Sequence, residues 1–122
     1  MRLLYVEDDE DNRDVMTAYL DASGFDVSVA GTAAEAAALL AGARFDVVLL
    51  DMSLPDRDGG WVAKTAREAA PGVPVVMLTG WGLAVDPRVR RHVDLVVTKP
   101  VVPAGLIERL RILVRRRRGE GA

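Results

Sequence analysis

Five short apolar runs alternate with five helical stretches along the chain, and this alternation limits the folds available to it more than any other feature. The runs are Leu3-Leu4-Tyr5-Val6, Val27-Ser28-Val29-Ala30, Asp46-Val47-Val48-Leu49-Leu50, Pro74-Val75-Val76-Met77-Leu78 and Asp94 to Thr98. Runs this short, rich in Val and Leu, read as strands. The third is apolar at every position after Asp46, as expected of a strand covered on both faces. Strands that alternate with helices build a parallel sheet, and right-handed crossovers place helices on both of its faces. The 122 residues suffice for one such α/β domain, expected over residues 1–118, with a short tail at 119–122.

Local chemistry marks the helix ends. Asp9 is a candidate N-cap for a helix over Glu10 to Ala22, whose Val15, Met16, Tyr19 and Leu20 share one face. Ser23-Gly24 ends it. Thr32-Ala33-Ala34-Glu35 is a capping box that opens an Ala-rich helix stopping at Gly42. Asp58-Gly59-Gly60 leads into a helix through Trp61, Val62, Thr65, Ala66 and Ala69, closed by Pro71-Gly72. Asp86-Pro87 can start a fourth helix, with room only to about His92. Leu106, Ile107, Leu110, Leu113 and Val114 form the apolar face of the last.

Composition removes several classes of function. With no cysteine there is no disulfide scaffold, thiol nucleophile or Cys-based metal site. The single histidine, His92, makes no imidazole metal centre and reads as a solvated residue. No apolar run approaches the roughly 20 residues of a membrane span. The first residues turn acidic too soon for a secretory signal. Together these favour a cytoplasmic setting. The net charge of −2 conceals an asymmetry: eight acids face one base, Arg13, between Glu7 and Asp26, whereas six arginines and no acid lie between Arg109 and Arg118. The run Arg115 to Arg118 reads as a solvated last helical turn, where cations suit the helix dipole, and not as a nucleic-acid contact.

In a sheet of this kind ligands gather at the carboxyl ends of the strands. Glu7-Asp8-Asp9 follow the first run, Asp51-Met52-Ser53 the third, Thr79 the fourth, and Lys99-Pro100 the fifth. Carboxylates crowded into one crevice repel unless a cation compensates, and a hard divalent ion such as Mg²⁺ suits oxygen ligands in an open site. Asp51, after the most apolar strand, can act as a nucleophile on phosphorus. Lys99 and the Thr79 hydroxyl would then meet the phosphoryl oxygens. Asp9, Asp56 and Asp58 read as turn and cap residues.

The four segments Val6-Glu7-Asp8-Asp9, Leu50 to Gly59, Leu78-Thr79-Gly80 and Thr98-Lys99-Pro100 together resemble the receiver domain of bacterial two-component response regulators. The resemblance runs from Arg2 to about Arg115. It implies a doubly wound, flavodoxin-like sheet of order 2-1-3-4-5 and phosphoryl transfer from a histidine kinase or histidine phosphotransfer protein. It further implies Asp51 as phosphoacceptor, and Mg²⁺ held by Asp8, by Asp51, by Glu7 through a water and by the Ser53 carbonyl. Thr79 resembles the switch hydroxyl and Lys99 the phosphate-binding lysine, with the Lys99-Pro100 bond usually cis. Trp81, two residues after Thr79, is expected to border the site.

Two positions depart from the family pattern. Val96 stands where receivers usually carry an aromatic ring or His, and the fourth helix is short. The output mechanism is therefore expected to differ from the usual one. No effector domain fits after Arg118, so a single-domain regulator or an excised receiver is expected, a signalling module that is not a turnover enzyme. Self-association on phosphorylation stays open. A non-phosphorylated scaffold, an aspartyl-nucleophile phosphatase and a flavodoxin-like cofactor binder are the alternatives. Ser53 lacks the second Asp usual in the phosphatase, and the acidic first loop would repel a cofactor phosphate.

Overall fold

A computed structural model describes residues 1–80 and 85–119 of the chain. Its elements are β1 (Arg2–Val6), α1 (Glu10–Ala22), β2 (Asp26–Ala30), α2 (Ala33–Gly42), β3 (Val47–Asp51), α3 (Gly59–Ala69), β4 (Val75–Thr79), α4 (Pro87–Arg90), β5 (Leu95–Thr98) and α5 (Pro103–Arg117). All strand pairs are parallel, in the order β2-β1-β3-β4-β5. This is the doubly wound α/β sheet expected from the alternation. None of the described helices is long and apolar enough to cross a membrane.

The period of two along each strand sends alternate side chains to opposite faces. Leu4, Val6, Val48, Leu50, Val75 and Met77 join residues of α2 and α3 in one buried cluster. Leu3, Tyr5, Val47, Leu49, Val76 and Leu78 join Leu20 of α1 and Leu106, Ile107, Leu110 and Val114 of α5 in the other. β3 and β4 are buried at every position, so the element carrying Asp51 is held from both sides.

The caps form by local chemistry. Asp9, Thr32, Asp58 and Asp86 each accept a hydrogen bond from a backbone N–H in the first turn of the helix that follows. Glu35 reaches back to the N–H of Gly31, one residue earlier than a standard capping box, at 2.7 Å. Gly24 takes φ 93° after α1, a left-handed conformation that a Cβ would strain.

Three expectations are corrected. Val15 and Tyr19 are 61% and 51% exposed, and on α1 only Leu20 is fully buried. Both border a groove of about 250 Å³ that separates this flank of α1 from Val101 and Pro103, so no element among the described residues covers them. The arginine run is not simply solvated: Arg117 Nη1 donates to the Phe45 carbonyl at 3.0 Å and Arg118 Nη2 pairs with Asp46 at 3.1 Å. His92 is half-buried, with Arg67 Nε donating to its carbonyl at 3.2 Å.

Candidate functional site

Parallel pairing brings the carboxyl ends of β1, β3, β4 and β5 to one edge. The register levels them, pairing Val6 with Leu50, Asp51 with Leu78 and Thr79 with Thr98. Asp51 ends β3 and is 5% exposed, and Glu7 follows β1 and is 2% exposed. Asp8 stands exposed beside them, and one carboxylate oxygen from each of the three lies within 4.8 Å of the others. Lys99 Nζ donates to Asp51 Oδ2 at 2.5 Å, and the Ser53 N–H donates to Asp51 Oδ1 at 2.9 Å. Thr79 is buried, its hydroxyl 3.3 Å from Met52 Sδ. Together they line an open cleft of about 370 Å³.

Charge in this cleft is unevenly shared. Burial pushes Glu7 up to about 7, helped by its hydrogen bond to Asp51 and by the charge of Asp51. Burial acts on Asp51 in the same direction. There it is outweighed by hydrogen bonds from Glu7, Lys99 and the Ser53 N–H, so Asp51 stays below the usual carboxylate range. Burial opposes the charge of Lys99, but its hydrogen bond to Asp51 and the charges of Asp51, Glu7 and Asp8 hold it above the usual lysine value. The two shifts thus run in opposite directions, Glu7 toward its neutral form and Asp51 toward its charged form.

The loops around these side chains are pinned. Asp9 caps α1 by accepting from the Asn12 N–H at 2.9 Å, and Arg13 Nη1 donates to the Glu7 carbonyl at 3.1 Å. The Gly59 N–H donates to the Met52 carbonyl at 2.7 Å. A Cβ at Gly59 would lie 2.7 Å from the Asp51 carbonyl oxygen and 2.9 Å from Met52 Cα, so only glycine lets α3 begin so close to the end of β3. The Lys99–Pro100 bond is cis.

Asp56 does more than shape a turn. Its two oxygens accept from the N–H groups of Ala33 and Ala34, at 2.9 and 3.0 Å, tying the loop after Asp51 to the start of α2. The sequence carried no local signal for this bond, because donor and acceptor are 23 and 22 residues apart. Val96 is half-buried in β5 and packs against the cluster that holds α3. Trp81, expected at the border of the cleft, lies outside the described residues.

The profile of the response regulator receiver domain matches residues 3–111. The chain belongs to this family. Among curated proteins it is 37% identical to the DNA-binding response regulator MtrA of Mycolicibacterium smegmatis, covering 99% of this chain and 54% of that protein. It is 36% identical to the transcriptional regulatory protein AruR of Pseudomonas aeruginosa, over 94% of this chain and 50% of AruR. The receiver thus spans about half the length of the curated relatives it matches. Among solved structures, a CheY-like receiver domain from Methanospirillum hungatei superposes with a TM-score of 0.88 at 29% identity, over 98% of both chains. The receiver domain of a Pseudomonas aeruginosa sensor histidine kinase, with a magnesium ion coordinated in its active-site cleft, superposes with a TM-score of 0.84 at 27% identity, over 93% of this chain and 96% of that one.

Proposed function

We propose that this receiver takes a phosphoryl group onto Asp51 from the phosphohistidine of a histidine kinase or phosphotransfer protein, in the cytoplasm, and signals through the residues around it. The observation that carries the reading is the Asp51 carboxylate itself. It is held below the usual carboxylate range, ends a strand buried at every position and is paired with Lys99 at the mouth of a cleft wide enough for a phosphoryl group. Its carboxylate oxygen would form the new bond to phosphorus as the donor's nitrogen–phosphorus bond breaks, and the imidazole leaves with the electron pair. Lys99 is within reach of the oxygens that then carry the charge. The Thr79 hydroxyl, at the end of the neighbouring strand, would turn toward one of them.

The donor set suits Mg²⁺. Three carboxylates with oxygens within 4.8 Å face one lysine, an acid excess that a hard divalent cation relieves. Asp8, Asp51, Glu7 through a water and the Ser53 carbonyl would hold it, and when bound it would neutralise developing charge on the phosphoryl oxygens. Glu7 would join this set as a carboxylate, with Asp51 held in position by the Ser53 N–H. The exposed Val15 and Tyr19, across a groove from Val101 and Pro103, offer the phosphodonor an apolar footing next to the cleft. Val96, β-branched and stiff, has no ring to swing, so output would rest on Thr79 and α4.

The test is mass spectrometry after incubation with acetyl phosphate and Mg²⁺. A single phosphoryl adduct that vanishes in Asp51→Asn supports the reading. No adduct would make the domain a scaffold, and many turnovers of a phosphomonoester would make it a phosphatase.

A further inference from the structure

At the opposite end of the sheet, about 16 Å from Asp51 by the length of a five-residue strand, the surface is hollowed and strongly basic. Arg2, Arg44, Arg117 and Arg118 line a depression of about 420 Å³ around Phe45, with Asp46 as its one acid. A second depression of about 230 Å³ adjoins it, sharing Arg44, Phe45 and Arg117 as a common wall. The rest of its lining is apolar, chiefly Leu40, Ala43, Ala69, Pro71 and Val73. The two hollows flank Arg44, Phe45 and Arg117, and the second adds apolar side chains to this basic wall.

We propose that this double hollow binds a small phosphorylated organic anion of the nucleotide class, with its ring in the apolar part and its phosphates among the arginines. The guanidinium groups are held in place while most of their donors stay available. Arg117 spends one N–H on the Phe45 carbonyl, and Arg118 pairs with Asp46. Arg2 stands 5.4 Å from the centre of the Phe45 ring and 4.0 Å from the exposed Asp26. Arg44 makes no hydrogen bond or ion pair among the described residues. A guanidinium carries five N–H donors in a fixed fork that matches phosphate oxygens. Asp46 is already engaged by the Arg2 N–H at 2.7 Å and by Arg118. Four cations against one such acid leave an excess of positive charge focused in a concave site, which a polyanion would relieve. Together the hollows fall within the range of small-molecule sites, roughly 300–1,000 Å³. Concavity and the apolar annex favour a small ligand over a nucleic-acid backbone, which would read a convex basic ridge.

The experiment is calorimetric titration of the full chain with ATP in EDTA at low salt. The chelator keeps metal from the acidic cleft at the other end, so that cleft repels the ligand. One-site binding is expected, weakened about tenfold by Arg44→Ala or Arg117→Ala, the scale of one lost charged contact. Arg109→Ala, exposed elsewhere on α5, should bind as the wild type does. Inorganic triphosphate should bind about tenfold more weakly than ATP if the ring occupies the apolar hollow. Absent heat with ATP, equal affinity for triphosphate, or tighter binding of duplex DNA than of ATP would each overturn the proposal. Circular dichroism and uptake of phosphate at Asp51 establish that each variant is folded, independently of what the basic hollow does.

Discussion

Replacing Glu7 with Gln should stabilise the metal-free domain at alkaline pH and leave it unchanged in acid. Glu7 is 2% exposed beside Asp51, and burial with that neighbour pushes its carboxyl from 4.5 up to about 7. Between those values the folded chain binds a proton that the unfolded chain has released. Stability from this group is therefore complete below about pH 4.5 and is lost as pH rises through about 7. A rise of that size corresponds to ~3 kcal/mol at about 1.4 kcal/mol per pH unit. Water reaching the open side of the cleft screens the charges, leaving about 1–2 kcal/mol. The Gln amide keeps a donor toward Asp51 and never ionises. Thermal melts of both proteins in EDTA should therefore coincide near pH 4.5 and diverge up to pH 8. There the variant should melt higher by about 5 °C, given roughly 3–5 °C per kcal/mol for a chain of this size. Adding Mg²⁺ at pH 8 should reverse the order, because only the wild type supplies a third carboxylate, at position 7, beside Asp8 and Asp51. A difference between the two proteins that stayed flat from pH 4.5 to 8 would refute the assignment of the shared proton to Glu7.

Gly59→Ala should destabilise by about 2–3 kcal/mol, because the atoms 2.7–2.9 Å from the new Cβ include backbone that cannot give way; denaturant unfolding measures it. Leu110→Ala, at a fully buried position of α5, should cost about 3 kcal/mol in the same assay without altering phosphate uptake at Asp51. Asp56→Ala should lower the melting temperature and speed amide exchange at Ala33 and Ala34, whose N–H groups it accepts; unchanged exchange there would show that the bond carries no weight.

What could be read in advance follows from the range of the interactions involved. Strand ends came within a residue or so, because continuous Val and Leu runs such as Val47 to Leu50 are local signals. Asp9, Thr32, Asp58 and Asp86 were legible as caps because each bonds an N–H in its own helix. Glu7, Asp8, Asp51, Thr79 and Lys99 could be brought together on paper because a parallel sheet sends every carboxyl end to one edge. The exposure of Val15 and Tyr19 could not, since periodicity names a helix face and is silent on whether anything covers it. The same holds for Asp56 on Ala33, Arg117 on the Phe45 carbonyl and the upward shift of Glu7. Each depends on a partner far along the chain, found only once the sheet has closed.

The brevity of α4 has a consequence for how free energy is distributed through the domain. A single turn has almost no intrinsic helical stability. This one has no fully buried residue and leans on α3 through Val89, which packs where a Cβ on Gly60 would stand. Arg90 adds a tie to the Val93 carbonyl. Reversible opening of Pro87 to Arg90 thus exposes little apolar surface and breaks few hydrogen bonds, so it lies near the bottom of the hierarchy of local unfolding. β3 and β4, buried at every position, lie near the top. A ligand or covalent group that prefers the opened form needs only a small differential affinity to populate it, while the scaffold carrying Asp51 remains folded throughout.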